Sequence, residues 1–518
     1  MPHPALWSNL AWWLSRAPGA RRFRAALRDP EGIQHRRLMR LVRRHAGTAF
    51  GREHGFGEIR SVADFQRRVP VVDYDAHQPW VERIRKGEEQ VLTADPVTHL
   101  VPTSGSSAAA KLIPFTAGLQ REFGAAIAPW IFDLYRRRPA LMAGPAYWSI
   151  TPAVDLPDMG SVVPVGFGED TEYLGGRWSR LVESTLAVPQ SVARLRDANE
   201  HRRATLVALL RARDLRLISV WHPSWLGLLL QAMERDWDVL LGGIPEQARV
   251  AELEKCGPDE TLRIWPKLGL ISCWADGPAA VSLAALRQRF PGVPIQPKGL
   301  LATEAVVTIP IGDASPLAAA SHFFEFLDDQ GGIHLAGELA KGGEYSVVVT
   351  TGGGLYRYRL GDRVRVTGFV AATPALEFLG RDEGVSDLRG EKLSEGFVAG
   401  ILPELFAEYR WAVDFAILVP TTDELAGSYR LLVESPDREP DECAGALESR
   451  LRENPHYRWC VEHRQLSPVT IERVPAGAFQ RYAAWRQQHG ARLGQVKPSA
   501  LESDPAALPV VRGAESSG

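Results

Sequence analysis

The sequence is poor in cysteine and has no surplus of positive charge. Its 518 residues include four cysteines, none of them in the Cys-x-x-Cys spacing of zinc and redox motifs. Neither a structural zinc site nor a disulfide framework is predicted, and a reducing cytoplasm is the expected location. Lys and Arg number 60 against 62 Asp and Glu, a formal charge of -2. Such a balance provides no strong basic field, so nucleic acid is not expected as a partner.

Long apolar runs are also missing. The longest candidates, such as Trp225 to Leu230, fall short of the roughly 18 apolar residues that span a bilayer. The stretch from Leu6 to Leu14 is interrupted by Ser8 and Asn9, and arginines follow it instead of preceding it, so no signal peptide is predicted. The composition, with 45% hydrophobic and 24% charged residues, is that of a globular protein.

The hydrophobic pattern changes along the chain and predicts an α/β fold. The first ~100 residues are expected to be mainly helical, with a basic amphipathic helix over Gln34 to Phe50 and a second helix capped by Ser61. From His99 onward, short β runs alternate with helical patterns. Leu215 to Val220 is a predicted strand, and a helix is expected over Pro223 to Arg235. This alternation favours a buried and partly parallel sheet.

A β-rich segment follows, and then a smaller α+β pattern. Predicted strands in the β-rich segment cover residues 345–350, 355–360, 363–370 and 376–379. They are expected to form a closing sheet at the end of a large lobe. We place the domain boundary between Arg381 and Asp382, which divides the chain into residues 1–381 and a small domain of residues 382–518.

One loop has the composition of a phosphate-binding site. It lies between the β runs 99–101 and 112–115 and reads Thr103-Ser104-Gly105-Ser106-Ser107-Ala108-Ala109-Ala110-Lys111. Hydroxyls, backbone N–H groups freed by Gly105 and the ammonium of Lys111 are the donors that a polyphosphate needs. A Ser/Ala-rich surface turn is the alternative interpretation. Neither a Walker GxxxxGK[ST] motif nor a GxGxxG motif after a strand occurs in the chain.

The loop resembles the Thr-Ser-Gly-Thr-Thr-x-x-x-Lys loop of the adenylate-forming (ANL) superfamily. Lys111 to Thr116 is similar to its Gretchen Hagen 3 (GH3) branch in particular. Three further segments follow in the order of that family: Leu301 to Glu304, Thr350 to Asp362, and Phe378 to Asp382. On these segments the chain is identified as a bacterial-type member of the GH3 acyl-acid amido synthetases. The resemblance implies a large N-terminal lobe of mixed sheets with helices and a small mobile C-terminal α+β domain.

The resemblance also implies a nucleotide site. Its expected ligand-binding residues are Thr103, Ser104, Gly105, Ser106, Ser107, Ala302, Thr303, Glu304, Tyr356, Asp362 and Arg381. Asp362 would accept hydrogen bonds from the two ribose hydroxyls, since a carboxylate carries only acceptors. Glu304 would help to hold Mg²⁺, a hard cation that prefers oxygen ligands. Without the resemblance, Asp362 would be interpreted as a turn residue and Thr303-Glu304 as the end of a strand.

Three lysines are implied as catalytic together with Glu304. Lys111 belongs to the phosphate loop, and Lys392 would reach the α-phosphate in one orientation of the small domain. Lys497 lies in Gly494 to Pro498, which is similar to the family's Asn-Gln-x-Lys-x-Pro segment, although Gly494 replaces asparagine and the proline comes one residue early. Lys497 would stabilise charge on the α-phosphate as pyrophosphate leaves. The alternative for Lys392 and Lys497 is a solvated surface charge.

The function implied is ATP-dependent adenylation of a carboxylic acid, followed by transfer of the acyl group to the amine of an amino acid. ATP and Mg²⁺ are the expected cofactors, and residues 1–381 are expected to form the ATP- and acid-binding domain. The protein is expected to be a monomer that does not insert into a membrane. One alternative is thioester formation on coenzyme A or a carrier protein. Another is an inactive nucleotide-binding relative, because Ala108, Ala110 and Ala305 stand where relatives have glycine or proline.

The pocket for the acid is expected along the helix that follows the phosphate loop. Its candidate residues, which would serve equally well in the core, are Phe123, Ile127, Trp130 and Ile131.

Overall fold

A computed structural model of this chain describes most of its residues. The described residues are 3–102, 111–149, 160–166, 183–195, 197–276, 279, 283–381, 385–386, 388–389, 391, 393–421, 427–435, 443–462, 465–488, 496 and 499–513. Together they form a mixed α/β protein with a large N-terminal lobe and a smaller C-terminal domain, as predicted. No helix in these ranges combines the length and the apolar character needed to cross a membrane.

The N-terminal part is helical, as expected. Its helices are α1 (Ala5–Arg28), α2 (Pro30–His45), α3 (Ala49–Glu53), α4 (Val62–Arg68) and α5 (Tyr74–Arg85). The prediction of one helix over Gln34 to Phe50 is wrong, because Thr48 has an extended backbone and its hydroxyl accepts the N–H of Gly51 to start α3. The predicted cap is confirmed, since Ser61 Oγ accepts the N–H of Asp64 at 3.0 Å.

A β-hairpin and a long helix frame the predicted phosphate loop. Strands β1 (Val97–Pro102) and β2 (Leu112–Thr116) pair antiparallel, and Pro102 lies opposite Leu112. The predicted β runs on either side of the loop are therefore confirmed. Helix α6 (Ala117–Arg137) follows directly, because Thr116 Oγ1 accepts the N–H of Leu119 and caps it.

A parallel sheet forms the centre of the large lobe. Its strands β3 (Ala146–Trp148), β4 (Leu217–Ser219), β5 (Leu270–Cys273) and β6 (Ile295–Pro297) pair parallel in that order. The helices between them are α7 (Ala198–Arg211), α8 (Pro223–Arg235), α9 (Trp237–Gly242), α10 (Gln247–Leu253), α11 (Thr261–Ile264) and α12 (Leu283–Arg289). The prediction of parallel pairing is confirmed, and all carboxyl ends of the strands lie at one edge.

An antiparallel sheet closes the large lobe. It contains β7 (Phe323–Leu327), β8 (Ile333–His334), β9 (Glu344–Thr350), β10 (Tyr358–Val370) and β11 (Thr373–Arg381), in the order β11-β10-β9-β7-β8. The two strands predicted over 355–360 and 363–370 are one continuous strand. Gly361, at a φ of +78°, absorbs a bulge where the pairing with β9 shifts between Arg359 and Arg363.

The C-terminal part has its own sheet and its own buried core. Its elements are β12 (Val385–Ser386), β13 (Leu393–Ser394), α13 (Glu395–Glu408), β14 (Phe415–Thr421), β15 (Ser428–Glu434), α14 (Ala444–Leu451), α15 (Pro455–Glu462), β16 (Thr470–Arg473), α16 (Ala478–Gln488) and α17 (Ala507–Arg512). Strand β15 pairs antiparallel with β14 and parallel with β16. Apolar side chains from both faces of this sheet form clusters around Leu418 and Leu432.

Candidate active site

Asp362 and Arg381 lie opposite each other on neighbouring antiparallel strands. Asp362 is in β10, Arg381 ends β11, and Arg381 Nε is 3.5 Å from Asp362 Oδ1. The Asp362 side chain is only 6% exposed, whereas that of Arg381 is 35% exposed. The pairing of β10 with β11 fixes this placement, since Asp362 is opposite Arg381 and the register shifts only beyond Arg363. A buried carboxylate beside a half-exposed guanidinium is suited to binding a polar ligand at the edge of the sheet.

Glu304 belongs to the same cluster of charges. It lies in a tight turn that is closed by the N–H of Ala302 donating to Ala305 O at 2.9 Å. Burial raises the pKa of Glu304, and the charge of Asp362 raises it further, while Arg381 and Lys111 act in the opposite direction. Two acidic and two basic side chains from four separate segments therefore influence one another. The sequence predicted all four as site residues, and in the structure Glu304 is within electrostatic range of the other three.

A glycine turn lies directly after β9. Thr351 and Gly354 close the turn, since the Gly354 N–H donates to Thr351 O at 3.1 Å. Gly354 has a φ of +94°, and a Cβ there would lie 2.6 Å from Leu92 Cβ, so a side chain is excluded. The turn is anchored to the start of α6 by Thr116 Oγ1, which donates to Gly352 O at 2.9 Å. Gly352 and Gly353 likewise allow the backbone to pass against α6 and β2, since a Cβ there would lie 3.0 Å from Glu122 Oε1 and 2.7 Å from Pro114 O, respectively.

A buried polar network that the sequence did not reveal supports this turn. Glu122 of α6 accepts the N–H of Gly352 at 2.8 Å, a hydrogen bond from His322 Nδ1 at 2.9 Å and an ion pair from Arg37 at 2.8 Å. His322 Nε2 in turn accepts the N–H of Val306 at 3.2 Å, which places the imidazole proton on Nδ1. The network thus connects the glycine turn with the segment that follows Glu304. A lone Glu in the apolar pattern of α6 was the only signal in the sequence.

The charge state of this network follows from its contacts. Burial alone would raise the pKa of Glu122, but the charge of Arg37 and the hydrogen bonds from His322 and Gly352 outweigh it and hold this pKa below its ordinary value. Burial lowers the pKa of His322, and the nearby carboxylate opposes that effect. We infer a charged Glu122 and a neutral His322 at neutral pH.

Replacing Glu122 with glutamine is expected to lower the free energy of unfolding by about 2 kcal/mol at pH 7, because the buried ion pair with Arg37 is lost. The folded-state pKa is depressed, so the carboxylate stabilises the fold above its unfolded pKa and this contribution disappears as the pH falls through the folded pKa. Urea unfolding of both proteins at pH 7, 5 and 3.5 measures this. Glu58→Gln is the control, since Glu58 is exposed and pairs only with Arg68. A wild-type advantage that persists unchanged at pH 3.5 would contradict the charged state.

Tyr356 and Arg357 face the N-terminal part of the chain. The Tyr356 ring is fully buried, stacks on Phe50 at 4.7 Å and donates its hydroxyl to Leu92 O at 2.6 Å. The structure therefore places this side chain in the packed core and not among the charges of the candidate site. Arg357 is also buried and forms a bidentate pair with Glu325, with both N–O distances at 2.9 Å.

The remaining predicted residues are placed as follows. Ala302 and Thr303 are half-buried in the turn before Glu304. Thr103, Ser104, Gly105, Ser106, Ser107, Lys392 and Lys497 lie outside the described residues. Beside Lys392, the buried Glu391 accepts the N–H groups of Leu388 and Arg389. Within the described ranges, no three His, Cys, Asp or Glu side chains cluster closely enough to hold a metal ion by themselves.

Family models match three parts of this chain. They are the GH3 family N-terminal domain over residues 19–247, the GH3 family central domain over residues 315–381 and the GH3 family C-terminal domain over residues 404–506. The charged cluster is divided among these parts: Lys111 lies within the first match, and Asp362 and Arg381 lie within the second. Glu304 lies in the interval between them.

Known proteins and solved structures agree with these matches. The chain is 24% identical to indole-3-acetic acid-amido synthetase GH3.17 of Arabidopsis thaliana over 577 residues, covering 93% of each chain. The fold superposes on GH3.15 acyl acid amido synthetase with a TM-score of 0.83 at 20% identity, covering 95% of this chain and 94% of that one. It also resembles 2-hydroxyisobutyryl-CoA ligase in complex with 2-HIB-AMP, with a TM-score of 0.58 at 14% identity over 93% and 91% of the two chains.

Proposed function

This chain belongs to the GH3 family, and from that premise we infer that it is an acyl acid amido synthetase, which activates a carboxylic acid with ATP and joins it to an amino acid. The observation that carries this inference is the pair of Asp362 and Arg381 on neighbouring strands of the closing sheet, with Glu304 and Lys111 within electrostatic range. The adenylate-forming fold supports the use of ATP as the activating substrate.

The cluster gives each residue a role in the first half-reaction. Asp362 accepts hydrogen bonds from the two ribose hydroxyls of ATP, and Arg381 contacts the ribose or the phosphates from the neighbouring strand. Lys111 neutralises phosphate charge at the end of the loop over Thr103 to Ser107. The acid carboxylate then attacks the α-phosphorus, pyrophosphate leaves, and an acyl-adenylate remains. Catalysis consists mainly of positioning and charge neutralisation, and no covalent enzyme intermediate is needed.

Glu304 is the residue that we propose as a ligand of Mg²⁺. Magnesium is held by one or two protein carboxylates together with substrate phosphates, so a single well-placed carboxylate fits it. Glu304 is buried, and it lies within the electrostatic influence of Asp362, so a cation would relieve the repulsion between the two carboxylates. When bound, the cation would supply neutralisation of phosphate charge.

Substituting Glu304 with glutamine is expected to raise the Mg²⁺ concentration needed for half-maximal pyrophosphate exchange by about tenfold, since one ionic ligand is lost. Only the ionised carboxylate binds the cation. Because burial raises the pKa of Glu304, the wild type should lose Mg²⁺ affinity as the pH falls through that raised pKa, and the variant should not. Titrations with MgCl₂ at closely spaced pH values from 8 down to 5 measure both effects. An unchanged Mg²⁺ requirement in the variant would remove Glu304 from the metal site.

The second half-reaction involves the C-terminal domain. We propose that residues 382–518 turn about the Arg381-Asp382 boundary, so that an amino group can attack the adenylate carbonyl. Lys392 and Lys497 would alternate at the α-phosphate as the domain turns. Among the described residues on either side of Lys497, Val496 is buried and Ala500 O accepts the N–H of Leu418 in β14 at 2.9 Å. A monomer in the cytoplasm is the proposed working state.

The test of this function has two steps. Acid-dependent ATP–pyrophosphate exchange with aryl, indolyl and fatty acids detects adenylation and identifies the acid. Amino acids and coenzyme A are then offered separately with the active acid, and the products are identified by mass spectrometry. An amide product supports the amido synthetase, whereas a thioester product would assign the chain to the coenzyme A branch. ATP binding without exchange for any acid would indicate an inactive nucleotide-binding relative.

A further inference from the structure

Lys298 is buried at the carboxyl edge of the parallel sheet. It directly follows β6, and its N–H donates to Cys273 O, the last residue of β5, at 3.0 Å. Trp148 and Ser219 end β3 and β4 at the same edge. Open α/β sheets bind their ligands at this edge, beyond the ends of the strands. The lysine is nevertheless only 4% exposed, which is rare for this residue type.

Aromatic rings surround the ammonium group. Lys298 Nζ lies 4.6 Å from the centre of the Trp221 ring and 5.8 Å from the centres of the Trp130 and Trp148 rings. It donates one hydrogen bond, to Ser219 Oγ at 2.8 Å. The ring faces stabilise a cation by on the order of 1–2 kcal/mol, which is less than the cost of burying an ammonium.

No opposite charge compensates this lysine among the described residues. Burial lowers the pKa of Lys298 to about 7, and the only neighbour that opposes this effect is Cys273. Burial raises the pKa of the Cys273 thiol to about 12, so the thiol is itself neutral. A buried lysine without a carboxylate partner destabilises the fold, and such groups occur mainly where a ligand uses them.

Around Lys298, hydrogen-bond donors outnumber the acceptors that the described residues offer them. An ammonium has three N–H donors, and Ser219 takes one of them. Trp148 Nε1 is buried without an acceptor, whereas the Trp130 Nε1–H donates to Gln296 Oε1 at 3.1 Å. A ligand that complements this site would bring an aromatic ring for the tryptophans and an oxygen acceptor or anion for the unused donors.

Lys298 is not among the charges that shift the pKa of Glu304. Arg381, Asp362 and Lys111 affect that pKa, but none of the described carboxylates affects the pKa of Lys298. Helix α6 contacts both the glycine turn and the surroundings of Lys298, because its Glu122 accepts the N–H of Gly352 and its Trp130 lies beside Lys298. Eight residues separate these two positions, which corresponds to about 12 Å along the helix axis. Trp130, and with it Lys298, therefore lies about two turns of α6 away from Glu122 and the glycine turn.

We propose that Lys298, with Trp130, Trp148 and Trp221, holds the end of the acid substrate remote from the reacting carboxylate, and that this acid is aromatic and carries an oxygen acceptor at that end. The proposal rests on the proposed adenylation and adds to it the class of acid. Lys298 donates a hydrogen bond to the oxygen that the aromatic ring of the acid carries, and the indole rings of the three tryptophans pack against that aromatic ring.

The test compares acids that differ by one oxygen. The pairs are benzoate and 4-hydroxybenzoate, phenylacetate and 4-hydroxyphenylacetate, and indole-3-acetate and 5-hydroxyindole-3-acetate. In pyrophosphate exchange, the wild type is expected to favour the oxygen-bearing member of at least one pair by tenfold or more in kcat/KM. Lys298→Met should abolish that preference while activity with the parent acid stays within threefold. Lys267→Met is the control, since Lys267 is exposed and pairs with Asp214.

Two results would overturn the proposal. One is a wild type that shows no preference in any pair. The other is a Lys298→Met variant that loses activity with parent and hydroxylated acids equally. Calorimetric titration of the same acids without ATP makes the test independent of adenylation. A tenfold difference in Kd that Lys298→Met removes would support the site even if exchange fails, and equal Kd values would reject it.

Discussion

Replacing Asp362 with alanine is expected to lower kcat/KM for ATP in acid-dependent pyrophosphate exchange by about 10²- to 10⁴-fold. Each hydrogen bond from a ribose hydroxyl to this carboxylate contributes about 1.5–3 kcal/mol, and two of them are lost. The fold should be retained, because the 3.5 Å contact between Asp362 and Arg381 lies where β11 ends. Thermal unfolding of wild type and variant checks this condition.

A matched control and a substrate probe sharpen this test. The control is Asp329→Ala, which removes a carboxylate that is 71% exposed and pairs with Arg363 of β10. Its kcat/KM for ATP should stay within twofold of the wild-type value. The wild type should discriminate against 2′-deoxy-ATP and 3′-deoxy-ATP, whereas Asp362→Ala should treat them like ATP. If the variant still distinguished the deoxy nucleotides, Asp362 would not be the ribose ligand.

Replacing Arg357 with alanine is expected to have the largest effect on stability, a loss of about 3–5 kcal/mol in the free energy of unfolding, because Glu325 is left as an unpaired buried charge. Arg357 Nη1 also donates to Gln66 O at 3.0 Å and to Val69 O at 2.7 Å, so the variant loses the attachment of α4 as well. Urea unfolding at neutral pH measures this loss.

Arg359→Ala provides the comparison for that substitution. Arg359 lies two residues further along the chain, is 42% exposed and is 3.7 Å from Asp73, so its removal should cost less than about 1 kcal/mol. Arg357→Lys should recover little of the lost stability, because an ammonium cannot form the bidentate pair with Glu325. Similar losses for Arg357→Ala and Arg359→Ala would show that burial of the ion pair does not determine its contribution.

Local signals in the sequence predicted the secondary structure well where the determinants were themselves local. The cap at Ser61 and the helix over Pro223 to Arg235 depend on a few neighbouring residues, and both are confirmed. The continuous strand β10 was not predicted, because its bulge at Gly361 depends on pairing with β9. The break after His45 was missed because an amphipathic pattern continues across Thr48, whose capping bond is visible only in the structure.

The site was predictable to the extent that its residues lie in motifs. Glu304, Asp362 and Arg381 were assigned through a family resemblance; the structure pairs Asp362 with Arg381 and places both, with Lys111, within electrostatic range of Glu304. Tyr356 belongs to the same motif, but its ring packs in the core, since a motif records which residues occur together and not the direction of each side chain. Lys298 and the partners of Glu122 could not be found from the sequence, because their contacts join segments that are distant along the chain.

The contacts of Arg357 also determine when the N-terminal helices can complete their packing during synthesis of the protein. Its guanidinium holds the backbone of Gln66, which is 291 residues earlier in the chain. At a synthesis rate of about 5–20 residues per second, the ribosome needs roughly 15–60 s to make this interval. Helix α4 therefore leaves the ribosome long before its partner exists. Until Arg357 emerges, the carbonyl groups of Gln66 and Val69 lack the guanidinium that binds them in the folded protein.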